Sequence, residues 1–164
     1  NYNGVYHVLH GVISPSAGVK PENLCLTNGS VMAIRYILET FVKKGETVVT
    51  VAPSFEMYWV TCAMLGLKHV GVPYDENLKI SGQQIVGAID EHTDLVALLN
   101  PNNPIGSVYT EAEVRAVIER EEQEMTRPRD TLRKSVFVAC VRSCRECLVQ
   151  FQTKLLLLNV SALL

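Results

Sequence analysis

The 164-residue sequence has no run of roughly 18 apolar residues of the kind that spans a membrane. Its first residues hold no basic segment followed by an apolar core, the pattern of a secretory leader. It also has no excess of positive charge. Fifteen Lys and Arg stand against 17 Asp and Glu, a net charge of -2, which argues against a chain built to face nucleic acid. Five cysteines, an odd number without regular spacing, do not form the framework of a disulfide-stapled domain. What is present is a high hydrophobic share, 48%, with 20% charged residues, enough for a substantial core and too apolar for wholesale disorder. The expectation is a soluble, cytoplasmic α/β domain with no membrane and no nucleic-acid partner.

A second absence divides the chain. No glycine follows Gly106, although an α/β domain normally places turn glycines along its whole length. Residues 1–125 carry 8 basic and 15 acidic side chains, whereas residues 126–164 carry 7 and 2. Three parts are therefore read separately: an N-terminal segment 1–17, a regular part 18–120, and a tail 121–164 of different character.

From Asn23 to Arg120 short apolar strands alternate with helical patterns. Leu24–Leu26, Thr47–Val51, His69–Pro73 and Leu95–Leu99 read as strands, and Thr47–Val51 is a β-branched run typical of a buried parallel one. Between them, Val31, Ile34, Ile37, Leu38 and Phe41 keep helical spacing, and Lys43-Lys44-Gly45 predicts a basic last turn with a glycine stop. Phe55–Leu65 and Ser81–Ile89 read as two more helices. Thr110-Glu111-Ala112-Glu113 opens another, with its acids in the positive first turn. This alternation predicts a mostly parallel sheet covered on both faces. His69 and His92 flank strands and read as edge or loop histidines without an acidic partner.

In such sheets ligands bind beyond the carboxyl ends of the strands. Asn28-Gly29-Ser30-Val31 stands at one end and opens a helix, so it fits both an ordinary N-cap and an anion site made of backbone amides. Ala52-Pro53-Ser54-Phe55 stands at a second, where an aromatic fits both ordinary packing and the cover of a planar ring. Asn100-Pro101-Asn102-Asn103-Pro104-Ile105-Gly106 follows a third. Two prolines and a glycine constrain that loop, while its asparagines offer donors and acceptors.

Together with Gly18-Val19-Lys20-Pro21-Glu22-Asn23-Leu24, these three motifs resemble, in order and context, the fold-type I pyridoxal-phosphate aminotransferases of class I/II. The wording is closest to the group that includes histidinol-phosphate aminotransferase. The resemblance covers about residues 18–120, and Ile105 stands where the family usually has threonine. It implies part of a three-layer α/β/α large domain with a mostly parallel sheet, incomplete in this chain, and pyridoxal 5'-phosphate as cofactor. It implies that Gly29, Ser30 and Val31 hold the phosphate, that Phe55 stacks on the ring, and that Asn103 bonds the phenolic oxygen. The reaction it implies is amino-group transfer between an amino acid and a 2-oxo acid, in a homodimer.

Two parts of that machinery have no clear counterpart. The family's ring-nitrogen carboxylate ends an apolar strand, whereas Asp130 stands in Arg127-Pro128-Arg129-Asp130-Thr131 and reads as a solvated loop residue. The family's Schiff-base lysine stands in a Ser-Lys context, whereas Lys154 follows Gln152-Thr153 and reads as a surface lysine. No catalytic residue is therefore assigned, and the expectation is a catalytically incomplete piece. A lyase or synthase of the same fold, and a non-catalytic remnant that pairs with a full-length relative, remain as alternatives. Cys140, Cys144 and Cys147 have the C-x3-C-x2-C spacing of a cluster-binding motif. The aromatic usual before the last cysteine is missing and a fourth metal ligand is not apparent, so the spacing reads as coincidence and no metal is assigned.

The break near residue 121 is explained if the tail arises from a shifted reading frame, and the cut sheet, after about four strands, would then leave an edge exposed. Sequencing the transcript beyond Arg120 checks this. An alternative frame is expected to encode an apolar strand ending in aspartate and then a Ser-Lys motif; their absence from all three frames overturns the explanation.

Overall fold

The computed structural model describes residues 8, 11–15, 20–21, 24–124, 135–142, 146–151 and 156–159, the last three stretches as backbone. In chain order the regular elements are β1 (Leu24–Thr27), α1 (Gly29–Phe41), β2 (Thr47–Ala52), α2 (Met57–Leu65) and β3 (Lys68–Pro73). They continue with α3 (Gly82–Gly87), β4 (Thr93–Asn100), α4 (Glu111–Glu124), β5 (Ser135–Arg142), β6 (Glu146–Phe151) and β7 (Leu156–Asn159). Residues 11–15 form one further helical turn.

The strands make one sheet in the order β1-β7-β6-β5-β4-β2-β3. Pairs β1–β7, β2–β3, β2–β4 and β4–β5 are parallel. β6 runs antiparallel to both of its neighbours. Six strands therefore share one direction, and their carboxyl ends lie along one edge. The sheet does not stop after four strands, because the backbone of three segments beyond residue 134 continues it.

The core explains why these segments are strands and helices. In β4, Leu95, Ala97 and Leu99 pack with Val48 of β2 beneath α1 and α2, which contribute Ile34, Ile37, Leu38, Tyr58 and Cys62. The alternate residues, Val96 and Leu98, pack with Val49 and Val51 on the opposite face beneath α3 and α4, which contribute Ile85 and Val117. Strands apolar on both faces, with two helices on each, make three layers. Val48, Val49, Leu95, Val96 and Leu98 are all fully enclosed. Burial of each such side chain contributes about 1.5–3 kcal/mol against the entropy of ordering it.

Helix ends follow local chemistry, with one departure from expectation. α2 stops at Gly66, whose φ of 68° suits a residue without a side chain. α1 stops at Phe41, and Val42 turns extended while its N–H donates to Leu38 O at 3.0 Å. Lys43 and Lys44 thus lie past the helix rather than in its last turn. The Glu46 carboxylate accepts from Lys43 N–H at 2.7 Å, and Gly45 adopts a φ of 87°, so the turn closes on itself after the helix. His69 lies on edge strand β3, and His92 lies 3.7 Å from the Glu91 carboxylate, an acidic neighbour that sequence spacing did not suggest.

On the α3–α4 face one carboxylate serves two helices. Glu113 Oε2 accepts from Thr110 N–H at 2.9 Å and from its hydroxyl at 2.8 Å, while Glu113 N–H donates to Thr110 Oγ1 at 3.3 Å. This is a capping box for α4. Glu113 Oε1 accepts from Gly82 N–H at 3.0 Å, at the start of α3. A side chain at Gly82 would meet Glu113 Cβ and Cγ at 2.8 Å, so glycine is required there by contact. The N–H donors of Thr110 and Gly82 hold the Glu113 carboxyl below its ordinary value of 4.5. Its contribution to stability is therefore complete above that value and is lost as pH falls through the lowered one.

Glu113→Ala is expected to destabilise the domain by about 1–2 kcal/mol. Glu113→Gln is expected to flatten the acid side of the stability profile, by a small amount because the group is partly open to solvent. Thermal melts between about pH 3 and pH 7 measure both effects. An unchanged Glu113→Ala melt, or an equally steep acid limb in Glu113→Gln, overturns the double-cap assignment.

Candidate functional site

Three loops leave the common edge and carry the residues singled out in the sequence. At the end of β1, Thr27 Oγ1 donates to Gly29 O at 3.0 Å, and Gly29 takes a φ of 84°, a conformation that favours glycine. α1 begins at once. Asn28, which precedes it, makes no side-chain cap, and the first turn of α1 has no acidic residue. The first N–H groups of a helix have no partner within it and carry a partial positive charge. Ser30 is half-buried and Val31 is 37% exposed, so this helix start is open to an anion of modest size.

The second loop follows β2. Phe55 is half-buried and packs against the core shared by α1 and α2. Its carbonyl accepts from Tyr58 N–H at 3.1 Å, which starts α2 directly behind the ring. Trp59 on α2 is 54% exposed.

The third loop follows β4. Asn100 closes its base: Oδ1 accepts from Tyr109 N–H at 3.1 Å, and Nδ2 donates to Tyr109 O at 3.4 Å. Asn102 N–H donates to Ser107 O at 2.8 Å, and Gly106 N–H donates to Asn102 O at 2.6 Å, with a φ of 77° at Gly106. The two neighbouring asparagines then differ. Asn102 is buried, 1% exposed, whereas Asn103 is exposed and its amide bonds to no described residue. The peptide bonds at Ala52–Pro53, Asn100–Pro101 and Asn103–Pro104 are cis.

The chemistry of these loops is neutral. Residues 27–31, 52–58 and 100–109 include one carboxylate, Glu56, and no lysine, arginine or histidine. Behind them, burial pushes the Cys62 thiol up to about 11 and raises the Cys25 thiol, which leaves both as packing residues rather than nucleophiles. Burial also raises the Tyr109 phenol well above its usual value. The neighbouring Tyr74 and Glu113 add to that shift. His69 stands 2.7 Å from Thr50 Oγ1, and burial lowers its pKa, so it is neutral near pH 7. The sequence expectation placed Gly29, Ser30, Val31, Phe55 and Asn103 at strand ends, and all five lie there. Asp130, Cys144 and Lys154 lie outside the described residues. Cys140 pairs with Leu148 and Cys147 with Val141, so these two cysteines do not share a register position.

Sequence reasoning missed Asn102, Ser54, Tyr74 and Ser107. The pair Asn102-Asn103 signalled polar chemistry, but nothing in a loop indicates which amide turns inward.

Comparison with known proteins agrees with this geometry. The aminotransferase class I and II family matches residues 7–127, beginning ahead of the motifs that first suggested it. Histidinol-phosphate aminotransferase of Caldanaerobacter subterraneus is 36% identical over 103 residues, 62% of this chain and 29% of the relative. The same enzyme of Anaeromyxobacter is 32% identical over 130 residues, 79% of this chain and 34% of the relative. The chain thus spans about a third or less of the curated relatives it matches. Among solved structures, histidinol-phosphate aminotransferase from Sinorhizobium meliloti in complex with pyridoxal-5'-phosphate superposes with a TM-score of 0.65 and 24% identity, covering 83% of this chain and 42% of the other. Thermus thermophilus aspartate aminotransferase gives 0.65 at 20% identity, over 78% of this chain and 34% of the other. Those structural likenesses carry the fold, a mostly parallel sheet between helices. The match over residues 7–127 carries the family: this chain belongs to the class I and II aminotransferases.

Proposed function

We propose that residues 18–120 form the pyridoxal-phosphate cradle of an enzyme that moves an amino group between an amino acid and a 2-oxo acid, and that this chain holds the cofactor weakly without completing the reaction. The tail 121–164 is, in this reading, not a replacement for the catalytic part, and the family match ending at residue 127 supports that. The observation that carries the cradle is the donor set. An uncapped helix start without a first-turn acid suits a phosphate, a half-buried ring suits one face of a pyridine, and an exposed amide without a partner suits a phenolic oxygen.

When bound, pyridoxal phosphate supplies an electron sink for the charge that develops on the amino acid. The N–H groups of Gly29, Ser30 and Val31 would bind its phosphate, with the Ser30 hydroxyl beside them. Phe55 would cover one ring face and exclude water from it. Asn103 would donate its Nδ2–H to the phenolic oxygen. None of the three loops carries a lysine or histidine to move a proton, so the cradle binds and orients only.

The same reading places the protein in the cytoplasm, in contact with a second copy or a full-length relative. Among the described residues no helix is long and apolar enough to cross a membrane. Tyr36 on α1 and Trp59 and Met64 on α2 are exposed, as residues that a second copy covers would be.

Pyridoxal phosphate is expected to bind weakly and to be displaced by inorganic phosphate, with Phe55→Ala weakening it roughly three- to tenfold. Equilibrium dialysis measures this, and binding indifferent to phosphate overturns the cradle. Borohydride reduction followed by peptide mapping is expected to show scattered, substoichiometric labelling of lysines and no turnover. Stoichiometric labelling of Lys154, lost in Asn103→Ala, would instead show a completed active site. Sedimentation of the purified chain is expected to show oligomers; a monodisperse monomer with a cooperative melt overturns the covered face.

A further inference from the structure

Asn102 is almost fully enclosed, and every hydrogen-bonding group on it has a partner. Its Oδ1 accepts from Ser54 Oγ at 2.7 Å. Its Nδ2 donates to Pro53 O at 2.9 Å and to Tyr74 Oη at 2.9 Å. The backbone contributes the bonds to Ser107 O and from Gly106 N–H. The amide orientation follows from these partners. Pro53 O can only accept, so Nδ2 must face it, and Oδ1 is then left for the one hydroxyl able to donate to it. Tyr74 Oη accepts from Asn102 and also lies 2.6 Å from Ser107 Oγ, a hydrogen bond in which either hydroxyl can donate. Tyr74 is itself fixed at the end of β3, because its N–H donates to Ala52 O at 3.1 Å. At Gly71, β3 approaches β2 so closely that a side chain would meet Ala52 Cβ at 2.8 Å.

This network joins the loop that holds Phe55 to the loop that holds Asn103. Among the described residues, no other hydrogen bond links residues 53–56 to residues 101–107. We propose that Asn102 is a positioning residue, one that touches no ligand and sets the place of the Phe55 ring relative to the Asn103 amide, so that a phosphorylated pyridine ring meets both at once. The proposal rests on the cofactor reading above and adds to it a residue that acts through two others. Buried amides of this kind have few alternative arrangements, since a partner lost leaves a polar group stranded. Asn102 thus makes the two loops move as one.

The test is a double-mutant cycle on the full chain, read as affinity for 4'-deoxypyridoxine 5'-phosphate. This probe has the ring, the phenol and the phosphate but no aldehyde to react with surface lysines. Asn102→Leu keeps the approximate volume and removes every side-chain hydrogen bond. It is expected to weaken the probe by about tenfold in the native background and by less than about threefold in Phe55→Leu, because the ring it places is gone. Tyr74→Phe, which removes one arm of the network, is expected to show the same pattern with a smaller loss, and it carries the test if Asn102→Leu fails to fold. Equal losses in both backgrounds, or no loss, overturn the positioning role. A native chain that does not bind the probe in competition with phosphate overturns the cofactor reading itself, which is a distinguishable failure.

Discussion

Where β2 and β4 pair, Val48 stands opposite Leu95 and Val49 opposite Val96, and all four side chains are fully enclosed. The register of this pair is fixed from both faces at once, since a slip of one residue would exchange the sets that pack under α1 and α2 with those under α3 and α4. The rest of the site depends on that constraint. With the register set, Ala52 and Asn100 end their strands side by side, and the loops that follow begin next to each other. The hydrogen bonds of Asn102 then need to correct only small offsets between them. The scaffold brings the loops together through apolar packing, which is not directional. The buried amide adds the direction.

The cradle is also notable for doing its electrostatics almost without ions. An anion at the start of α1 would be held by aligned backbone dipoles, which cost no desolvation of a buried charge and titrate with nothing. Thiols near the core are raised by burial, and His69 is lowered by it. Across the described part of the site, affinity for a phosphate should then follow the ionisation of the phosphate rather than that of the protein.

Much of this architecture was legible in the residues. Runs such as Thr47–Val51 and Leu95–Leu99 are apolar at consecutive positions, which only a doubly covered strand tolerates, and Gly66 marks a helix stop that the structure keeps. Lys43 and Lys44 misled, because a basic pair before a glycine resembles a helix end, whereas Glu46 draws the chain into a separate turn. The strand ends carried the site residues because glycine, proline and asparagine in a loop signal geometry that packing alone does not require. The inward turn of Asn102 was not legible. It is decided by Pro53, Ser54 and Tyr74, which come from two other loops, and no periodicity connects them to it. The strands β5, β6 and β7 were not legible, because the tail 121–164 has no glycine-marked turns to separate its apolar patches and does not continue the alternation.

The carboxylate of Glu113 meets the starts of both α3 and α4. Each helix start carries about half a positive elementary charge, so this carboxylate offsets the pair, and Glu111, paired with Arg115, is a second acid in the first turn of α4. α1 has no such acid in its first turn. A small dianion approaching the α3–α4 side of the sheet therefore meets carboxylates, whereas the mouth of α1 offers it bare N–H groups. The two faces of one sheet thus differ in field as well as in sequence, and an incoming phosphate would meet the more favourable field at α1.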